Sequence, residues 1–262
     1  MKKAKIAIIG GTGFEKLFND AKQTRVGTPY GVPPPIALGK IGEKTVAFLP
    51  RHGPEHSVPP HKVNYKANIY ALHTLGVERI IAVNAVGAIN TAFKPGDIVI
   101  PHDFADFTKF RSTTFYDDAP VTHVDFSQPY CPEIRRTFIE CAEKLGLHLW
   151  NRGVLVCTEG PRFETPAEIE MFRRLGFDIV GMTGIPEAVL ARELEMCYAA
   201  LCFVSNMAAG MQERLTPKEV LDISETVQPK IEQILIETVR VLPVERKGRC
   251  PCANALKDSR IK

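Results

Sequence analysis

The chain has 262 residues, of which 45% are hydrophobic and 24% are charged, and its formal net charge is +3. This is the composition of an ordinary globular protein, and no run of Lys or Arg indicates a surface for nucleic acid or membrane. No apolar run approaches the roughly 20 residues of a membrane-spanning helix. Five of the seven cysteines are scattered singly, unlike a secreted disulfide framework, so we expect a cytoplasmic protein.

Apolar runs alternate with stretches of helical spacing, which is typical of an α/β protein. The first predicted strand, 6–9, leads into Gly10-Gly11-Thr12-Gly13, where turn N–H groups and a hydroxyl are suited to a phosphate. These glycines do not match the G-x-G-x-x-G fingerprint of a dinucleotide site. Further strands are predicted at 45–49, 79–83, 97–100, 155–157, 178–182 and 197–204, and helices at 64–74, 133–145, 167–175, 186–194 and 217–241.

A cluster of basic and imidazole side chains follows the predicted strand 45–49. Arg51 and His52 come directly after it, with His56 and His61 close behind. The spacing of these histidines is not that of a zinc site, and the prolines between them break any helix. Arg beside His at a strand end suits an oxyanion better, because Arg offers a fixed fork of donors.

Polar residues also follow the three predicted strands 155–157, 178–182 and 197–204. In an open α/β sheet, such residues at the carboxyl ends of strands converge on a ligand crevice. The alternative is that they belong to ordinary strand-exit turns with satisfied caps. We expect seven of them to line one site: Glu159, Arg162, Glu164, Met182, Thr183, Glu187 and Asn206.

Two further segments carry signals of their own. The stretch 104–130 is rich in aromatic residues and lacks periodicity, which predicts a long ordered loop with a role in function or at an interface. Thr216 is the predicted N-cap of the last helix, before Pro217 at its first position. No linker or repeat appears, so we predict one domain over 1–245 and a basic tail over 246–262.

The tail contains two of the seven cysteines, in the sequence Cys250-Pro251-Cys252. A Cys-x-Cys pair supplies at most half of a tetrahedral zinc site, and no other Cys or His pair lies nearby in sequence. We therefore expect no metal. A strained disulfide, cross-links between subunits and a frayed, reduced tail all remain possible interpretations.

Five motifs follow one another along the chain. They are G-G-T-G at 10–13, L-P-R-H-G-P-E-H-S-V-P-P-H-K-V-N-Y-K-A-N at 49–68, N-A-V-G-A-I at 84–89, E-G-P-R-F-E-T-P-A-E at 159–168 and G-M-T-G-I-P-E-A at 181–188. Together and in this order they resemble the trimeric purine nucleoside phosphorylase and methylthioadenosine phosphorylase family. The resemblance runs from about residue 6 to 241 and implies a single-domain α/β fold whose central mixed, partly barrel-like sheet is flanked by helices. It implies phosphate-dependent cleavage of a purine nucleoside without a cofactor, in homotrimers or dimers of trimers.

The resemblance also implies a role for individual residues, with Asn206, Glu164 and His52 as the catalytic ones. Asn84 replaces the hydroxyl residue of many methylthioadenosine enzymes, although an amide can still donate. Inorganic phosphate is expected at Thr12, Arg51, His52, Asn84, Ala85 and Thr183. The nucleoside is expected at Met182 (under the ribose), Phe163, Glu164, Asn206, Met207, Ala208, Pro217 and His123, the last from a neighbouring subunit.

Within the family, the pattern is closest to the 6-oxopurine nucleoside and S-methyl-5′-thioinosine phosphorylases. Asn206 stands where enzymes for 6-aminopurines carry acidic residues, and its amide can donate to a 6-oxopurine. No His follows His148, so the last helix cannot hold a 5′-hydroxyl through a His, which predicts that 5′-methylthioinosine is also cleaved. Similar C-terminal cysteine pairs in thermophilic members favour a stabilising disulfide.

Three other functions are alternatives to a 6-oxopurine nucleoside phosphorylase. An S-methyl-5′-thioadenosine phosphorylase is the nearest, and a non-catalytic nucleotide-binding protein is more distant. A nucleoside hydrolase would typically carry an Asp cluster for Ca²⁺, and nothing like it opens this chain.

Overall fold

The computed structural model describes residues 4–11, 14–18, 21–246 and 250–261. In these ranges ten strands join in one mixed sheet. The strands are β1 (Ile6–Gly10), β2 (Lys22–Thr24), β3 (Ile36–Ile41), β4 (Lys44–Pro50), β5 (Arg79–Ala88), β6 (Ile98–Val99), β7 (Asp103–Phe107), β8 (Val154–Thr158), β9 (Ile179–Gly181) and β10 (Cys197–Met207).

The order of the strands places β5 at the centre of the sheet. The path runs β2-β3-β4-β1-β5-β9-β8-β7, and β10 pairs with both β5 and β6. Strands β4, β1, β5 and β10 are mutually parallel, as are β7, β8 and β9, and the two sets meet antiparallel at β5 and β9. Strands β1 and β10 are almost entirely buried, as expected for strands covered on both faces.

Five α-helices flank this sheet within the described ranges. Their starts follow local chemistry, since the side chains of Asn64, Thr165 and Thr216 each accept a backbone N–H at a helix N-terminus. Helices α2 and α5 pack on one face of β10, and α1 and α4 pack together on the other side. The helices are α1 (Tyr65–Thr74), α2 (Pro132–Lys144), α3 (Pro166–Arg174), α4 (Glu187–Glu193) and α5 (Pro217–Val241).

Most predicted elements are confirmed, and the differences concern three strands and the end of a fourth. Strands β2 and β3 were not predicted, and β7 occupies the start of the expected loop 104–130. The side chains of β2 and β7 are exposed or half-buried, so neither strand shows a buried apolar run. Strand β5 also continues through Ala88, beyond the predicted end at 83.

The segment 250–261 folds back on the body of the molecule. It forms a short 3-10 helix, Pro251–Asn254, and then pairs with the loop before α2. Arg260 forms a β-bridge with Thr122, and the N–H of Ile261 donates to the carbonyl of Val121. In the described ranges, no helix is both long and apolar enough to span a bilayer.

Candidate active site

A gap along one edge of β5 frames the candidate site. On one edge β5 pairs with β10 along its length, while on the other it pairs with β1 over 79–82 and with β9 only at Gly87 and Ala88. No described strand pairs with residues 83–86 on that second edge. Ala85 is the one exposed residue of β5. The sheet is therefore open beside Asn84 and Ala85, two of the residues expected to hold phosphate.

Arg51 follows β4 and reaches this gap as a buried, fully oriented guanidinium. Its backbone N–H donates to Gly10, which aligns the ends of β1 and β4 with the middle of β5. Its side chain donates to the carbonyl of Val83 at 2.9 Å and to Oδ1 of Asn84 at 2.9 Å. It also donates to both carboxylate oxygens of Glu187, at 2.6 and 3.0 Å. These four bonds leave one of the five guanidinium N–H groups for a ligand.

Glu187, at the start of α4, fixes Arg51 electrostatically as well as geometrically. Its side chain is fully buried and also accepts a hydrogen bond from the hydroxyl of Tyr198 at 2.8 Å. Burial alone would lower the pKa of Arg51, but the charge and hydrogen bonds of Glu187 hold that pKa above its ordinary value. Arg51 is therefore a permanent cation with a fixed orientation.

The amide of Asn84 presents a donor without an acceptor. Because Oδ1 accepts from Arg51, the orientation of the amide is set, and its Nδ2 is buried with no hydrogen-bond partner among the residues that the structure describes. The loop after β9 passes close by, since a Cβ on Gly184 would lie 2.7 Å from this Nδ2. A buried donor left unpaired costs about 1–3 kcal/mol, which an anionic oxygen in the gap would recover. Thr183, also buried, is the residue before Gly184.

His52 adds a neutral imidazole next to Arg51. Its Nδ1 lies 2.8 Å from the carbonyl of Val58, and its ring stacks on His56 at 4.1 Å between centroids. Burial and the charge of Arg51 lower the pKa of His52 to about 4. With Nδ1–H donated to Val58, Nε2 is left as the acceptor, and a bound anion would favour protonation there.

The segments that follow β8 and β9 meet beside Met182. Gly160 has φ of +65°, which favours glycine, and a Cβ there would lie 2.7 Å from the Met182 sulfur. Glu164, in the same turn as Gly160, accepts a hydrogen bond from the hydroxyl of Thr158 at 2.6 Å. Burial raises the pKa of Glu164 above its ordinary value. Phe163, beside it, is half-buried.

Asn206 lies on the other side of β5, at a bulge in β10. The register slips by one residue at Ser205, so that Asn206 pairs with Gly87. Oδ1 of Asn206 accepts from the Ser205 hydroxyl at 2.6 Å, and Nδ2 donates to the carbonyl of Met207 at 2.9 Å. A Cβ on Gly87 would lie 3.1 Å from this Nδ2. One N–H of the amide therefore remains for a ligand. Met207 is half-buried and Ala208 is buried.

The carboxyl end of β10 reaches this region from the opposite direction to those of β8 and β9. Strands β8 and β9 are parallel to each other, but β9 is antiparallel to β5 and β5 is parallel to β10. Asn206 nevertheless lies near the end of β9, because it pairs with Gly87, which pairs with Val180 of β9 on its other edge. Sequence patterns do not reveal the direction of a strand within a mixed sheet, so this opposite approach was not predicted.

Three of the expected site residues are exposed in the single chain. Arg162 is exposed and pairs with Glu168 of the α3 capping box at 2.7 Å, so it does not line the gap as expected. Pro217 is exposed at the first position of α5. His123 is also exposed, and its backbone N–H donates to Ser259 at 2.8 Å. Thr12 lies outside the described residues.

Arg111 is a residue that sequence reasoning missed. It lies in the expected loop 104–130, yet its side chain is buried and donates to three carbonyls, those of Thr158, Glu159 and Ile185, at 3.2, 2.8 and 2.6 Å. Arg111 thereby links the segment that follows β8 to the segment that follows β9. Glu159, expected to line the site, instead accepts from Arg111 and from the backbone N–H groups of the loop at 109 and 110. No local motif in the loop sequence marks Arg111.

The fold and the gap in β5 together define an α/β protein with a candidate anion site. A family model described as "Phosphorylase superfamily" matches residues 5–240. The chain belongs to this family.

Curated relatives and solved structures agree with this assignment. The chain is 51% identical to "6-oxopurine nucleoside phosphorylase" of Pyrococcus furiosus, over 97% of this chain and 98% of the relative. It is 48% identical to "Probable S-methyl-5′-thioinosine phosphorylase" of Methanopyrus kandleri, over 98% and 99%. Among solved structures, a methylthioadenosine phosphorylase sourced from an antarctic soil metagenomic library superposes with a TM-score of 0.92 at 35% identity, covering 100% of this chain and 93% of that one.

Proposed function

We propose that this chain cleaves the glycosidic bond of 6-oxopurine nucleosides with inorganic phosphate, reversibly, as a purine nucleoside phosphorylase in purine salvage. The substrates are inosine, guanosine and/or S-methyl-5′-thioinosine. The products are the free base and ribose 1-phosphate or its 5-methylthio form. The observation that carries this proposal is the unpaired Nδ2 of Asn84, held beside Arg51 in the gap of β5.

Phosphate binding in this gap uses donors that are already in place. Arg51 and the Asn84 amide are hydrogen-bonded to each other, and we assign both of them, with Ala85, Thr183 and His52, to the same anion. Because Glu187 and Val83 hold the guanidinium, no reorganisation is needed when phosphate arrives. Such preorganised donors are the largest source of catalysis in many enzymes.

The reaction then needs positioning rather than a protein nucleophile. A phosphate oxygen bonds to C1′ of the ribose as the C1′–N9 bond breaks, and the electron pair of that bond goes to the purine. The phosphate dianion stabilises the positive charge that develops on the ribosyl group. We assign Met182 to the ribose face and Asn206 to the departing base. Holding both reactants in line accounts for much of the rate enhancement in such reactions.

Selection of the base rests on Asn206 and Glu164. The free N–H of Asn206 can donate to N7 or O6 of a 6-oxopurine, and the Glu164 carboxylate can accept from N1–H. Adenine keeps the acceptor N7, but it presents a donor at position 6 and no proton on N1, so the contacts to O6 and to N1–H would be lost. Each unpaired buried group costs about 1–3 kcal/mol. A 5′-methylthioadenosine phosphorylase is the second candidate, because the superposed structure carries that name.

Recognition of the 5′ end and the assembly belong to the same proposal. We propose that Pro217, near the start of α5, presents an apolar surface that admits a 5′-methylthio group without excluding a hydroxyl. S-methyl-5′-thioinosine should then be cleaved at least as efficiently as inosine. We also propose a homotrimer or dimer of trimers in which His123 completes the site of an adjacent subunit.

Phosphate dependence tests the proposed reaction. Purified protein is incubated with inosine in phosphate buffer and in phosphate-free buffer, and hypoxanthine and ribose 1-phosphate are quantified. We expect base release only with phosphate, with one ribose 1-phosphate formed per base. Base release without phosphate would indicate a hydrolase, and no base release from any purine nucleoside would indicate a binding protein. Either result would refute the proposal.

A further inference from the structure

The fold brings four distant cysteines together beneath the C-terminal segment. Cys131 is the N-cap of α2, Cys197 begins β10, and Cys250 and Cys252 flank the start of the 3-10 helix 251–254. Their four sulfur atoms all lie within 4.8 Å of one another. The backbone N–H of Cys131 donates to the carbonyl of Tyr198 at 2.8 Å, which holds the first two cysteines side by side.

This cluster bears on two expectations for the Cys-Pro-Cys sequence, namely that it holds no metal and that it forms a stabilising disulfide. The structure joins none of the seven cysteines in a disulfide, so it does not contain the favoured bridge between Cys250 and Cys252. The missing half of a tetrahedral site, which sequence spacing could not supply, comes from Cys131 and Cys197. Positions separated by more than fifty residues meet here because α2 and β10 pack against each other.

The dimensions of the cluster match tetrahedral thiolate coordination. Zinc–sulfur bonds of about 2.3 Å place the four sulfurs of a tetrahedron about 3.8 Å apart. The closest pair here, Cys197 and Cys250, is separated by 3.4 Å, and every pair lies within 4.8 Å. All four residues are buried away from solvent. A closed set of four sulfur ligands is typical of a structural site rather than a catalytic one.

Two arginines border the sulfurs and would compensate their charge. Four thiolates around a divalent cation carry a net charge of −2. Nη1 of Arg192 lies 3.9 Å from the Cys252 sulfur, and Nη1 of Arg79 lies 4.0 Å from the Cys197 sulfur. Arg79 also pairs with Glu133, whereas Arg192 forms no salt bridge within the described part of the chain. Cationic N–H donors around metal thiolates stabilise them as outer-shell partners.

We propose that Cys131, Cys197, Cys250 and Cys252 bind one zinc ion, which clamps the C-terminal segment to the body of the protein. The clamp lies at the start of a segment whose later residues contact the rest of the chain. The N–H of Leu256 donates to Glu195 at 3.3 Å, and the carbonyl of Ser259 accepts from His123. The zinc therefore also secures the loop that carries His123.

Metal analysis of the intact protein tests this proposal. The untagged protein is expressed in zinc-supplemented medium, purified with a thiol reductant and without chelator, and analysed by plasma mass spectrometry. We expect one zinc per chain in the wild type and in Cys141→Ser, a buried cysteine of α2 outside the cluster. The Cys250→Ser/Cys252→Ser variant should lose at least nine-tenths of this zinc, because two ligands are too few for a structural site.

A second measurement keeps the test decisive if the double variant does not fold. Wild-type protein loaded with Co²⁺ in place of zinc should show the intense visible bands of tetrahedral cobalt thiolate. Protein that binds neither zinc nor cobalt, or a double variant that folds and keeps its zinc, would overturn the proposal. So would a non-reduced intact mass showing that the four cysteines are joined as disulfides in protein isolated without oxidant.

Discussion

Asn84 illustrates how one side chain can be prepared for a ligand by its neighbours. Arg51 donates to the oxygen of its amide, which sets the orientation of the amide, and no group among the described residues accepts from the nitrogen. The sequence motif predicted Asn84 as a phosphate residue, but only the structure reveals the unpaired donor. A buried donor left unpaired calls for an explanation, and the proposed phosphate supplies one.

Removal of this donor should weaken phosphate binding specifically. In Asn84→Ala, we expect KM for phosphate to rise about tenfold, since a hydrogen bond to a charged group contributes about 1.5–3 kcal/mol. Asn84→Thr retains a donor and should recover most of the affinity. Steady-state kinetics with varied phosphate at saturating nucleoside measures both. An unchanged phosphate KM in Asn84→Ala would remove this residue from the anion site.

His52 should make the protein less stable in mild acid. Its folded pKa of about 4 lies below the ordinary value of 6.5, so the unfolded chain binds the proton more readily between these values. Stability should therefore rise with pH across this window, and wild type should lose about 2 kcal/mol between pH 7 and pH 5 through this group. In His52→Gln that part of the loss should disappear.

Urea unfolding at pH 7 and pH 5 measures this contribution. Replacement of the exposed His73 by Gln controls for the removal of a histidine. If His52→Gln and wild type lose equal stability between the two pH values, the imidazole is not held neutral by the fold.

The loop after β9 approaches Asn84 so closely that Gly184 is required there. Gly184 has φ of +94° and leaves 2.7 Å between an added Cβ and the Asn84 nitrogen. In Gly184→Ala we expect a stability loss of about 1–2 kcal/mol from the backbone and at least a tenfold rise in phosphate KM. Gly176 has φ of +83° and open space around it, so Gly176→Ala should show the stability loss with an unchanged KM.

Thermal unfolding and phosphate kinetics on the two glycine variants separate these effects. Equal KM values in Gly184→Ala and Gly176→Ala would mean that contact with Asn84 does not control the anion site.

Among the helices and strands, the sequence predicted those features that depend on signals within a few residues. The apolar run of β1 and the Thr216-Pro217 start of α5 are read directly, because burial and capping act within a few residues. The gap in β5 could not be predicted, since it arises where β1 ends and antiparallel β9 begins. Arg111 was missed for a related reason, because its partners lie on three other segments. The cysteine cluster likewise exists only in three dimensions.

At the scale of the whole molecule, His123 lies on a surface loop that the C-terminal segment supports. Its backbone is bonded to the C-terminal segment, while its side chain is exposed. We expect sedimentation equilibrium to give three or six chains per particle. His123→Ala should keep that mass and lower kcat/KM for inosine about tenfold, the loss of one buried hydrogen bond of about 1.5 kcal/mol. A monomer that remains fully active at high dilution would contradict this arrangement.

The choice of base tests the central claim most directly, because it depends on the fold, the anion site and Asn206 together. The measurement is kcat/KM for inosine, guanosine, S-methyl-5′-thioinosine, adenosine and 5′-methylthioadenosine, at one saturating phosphate concentration, in wild type and Asn206→Asp. We expect the wild type to favour the three 6-oxopurine nucleosides at least a hundredfold, as two lost contacts of about 1.5 kcal/mol each imply, and Asn206→Asp to shift the balance towards adenine. Faster cleavage of adenosine or 5′-methylthioadenosine by the wild type would contradict the account.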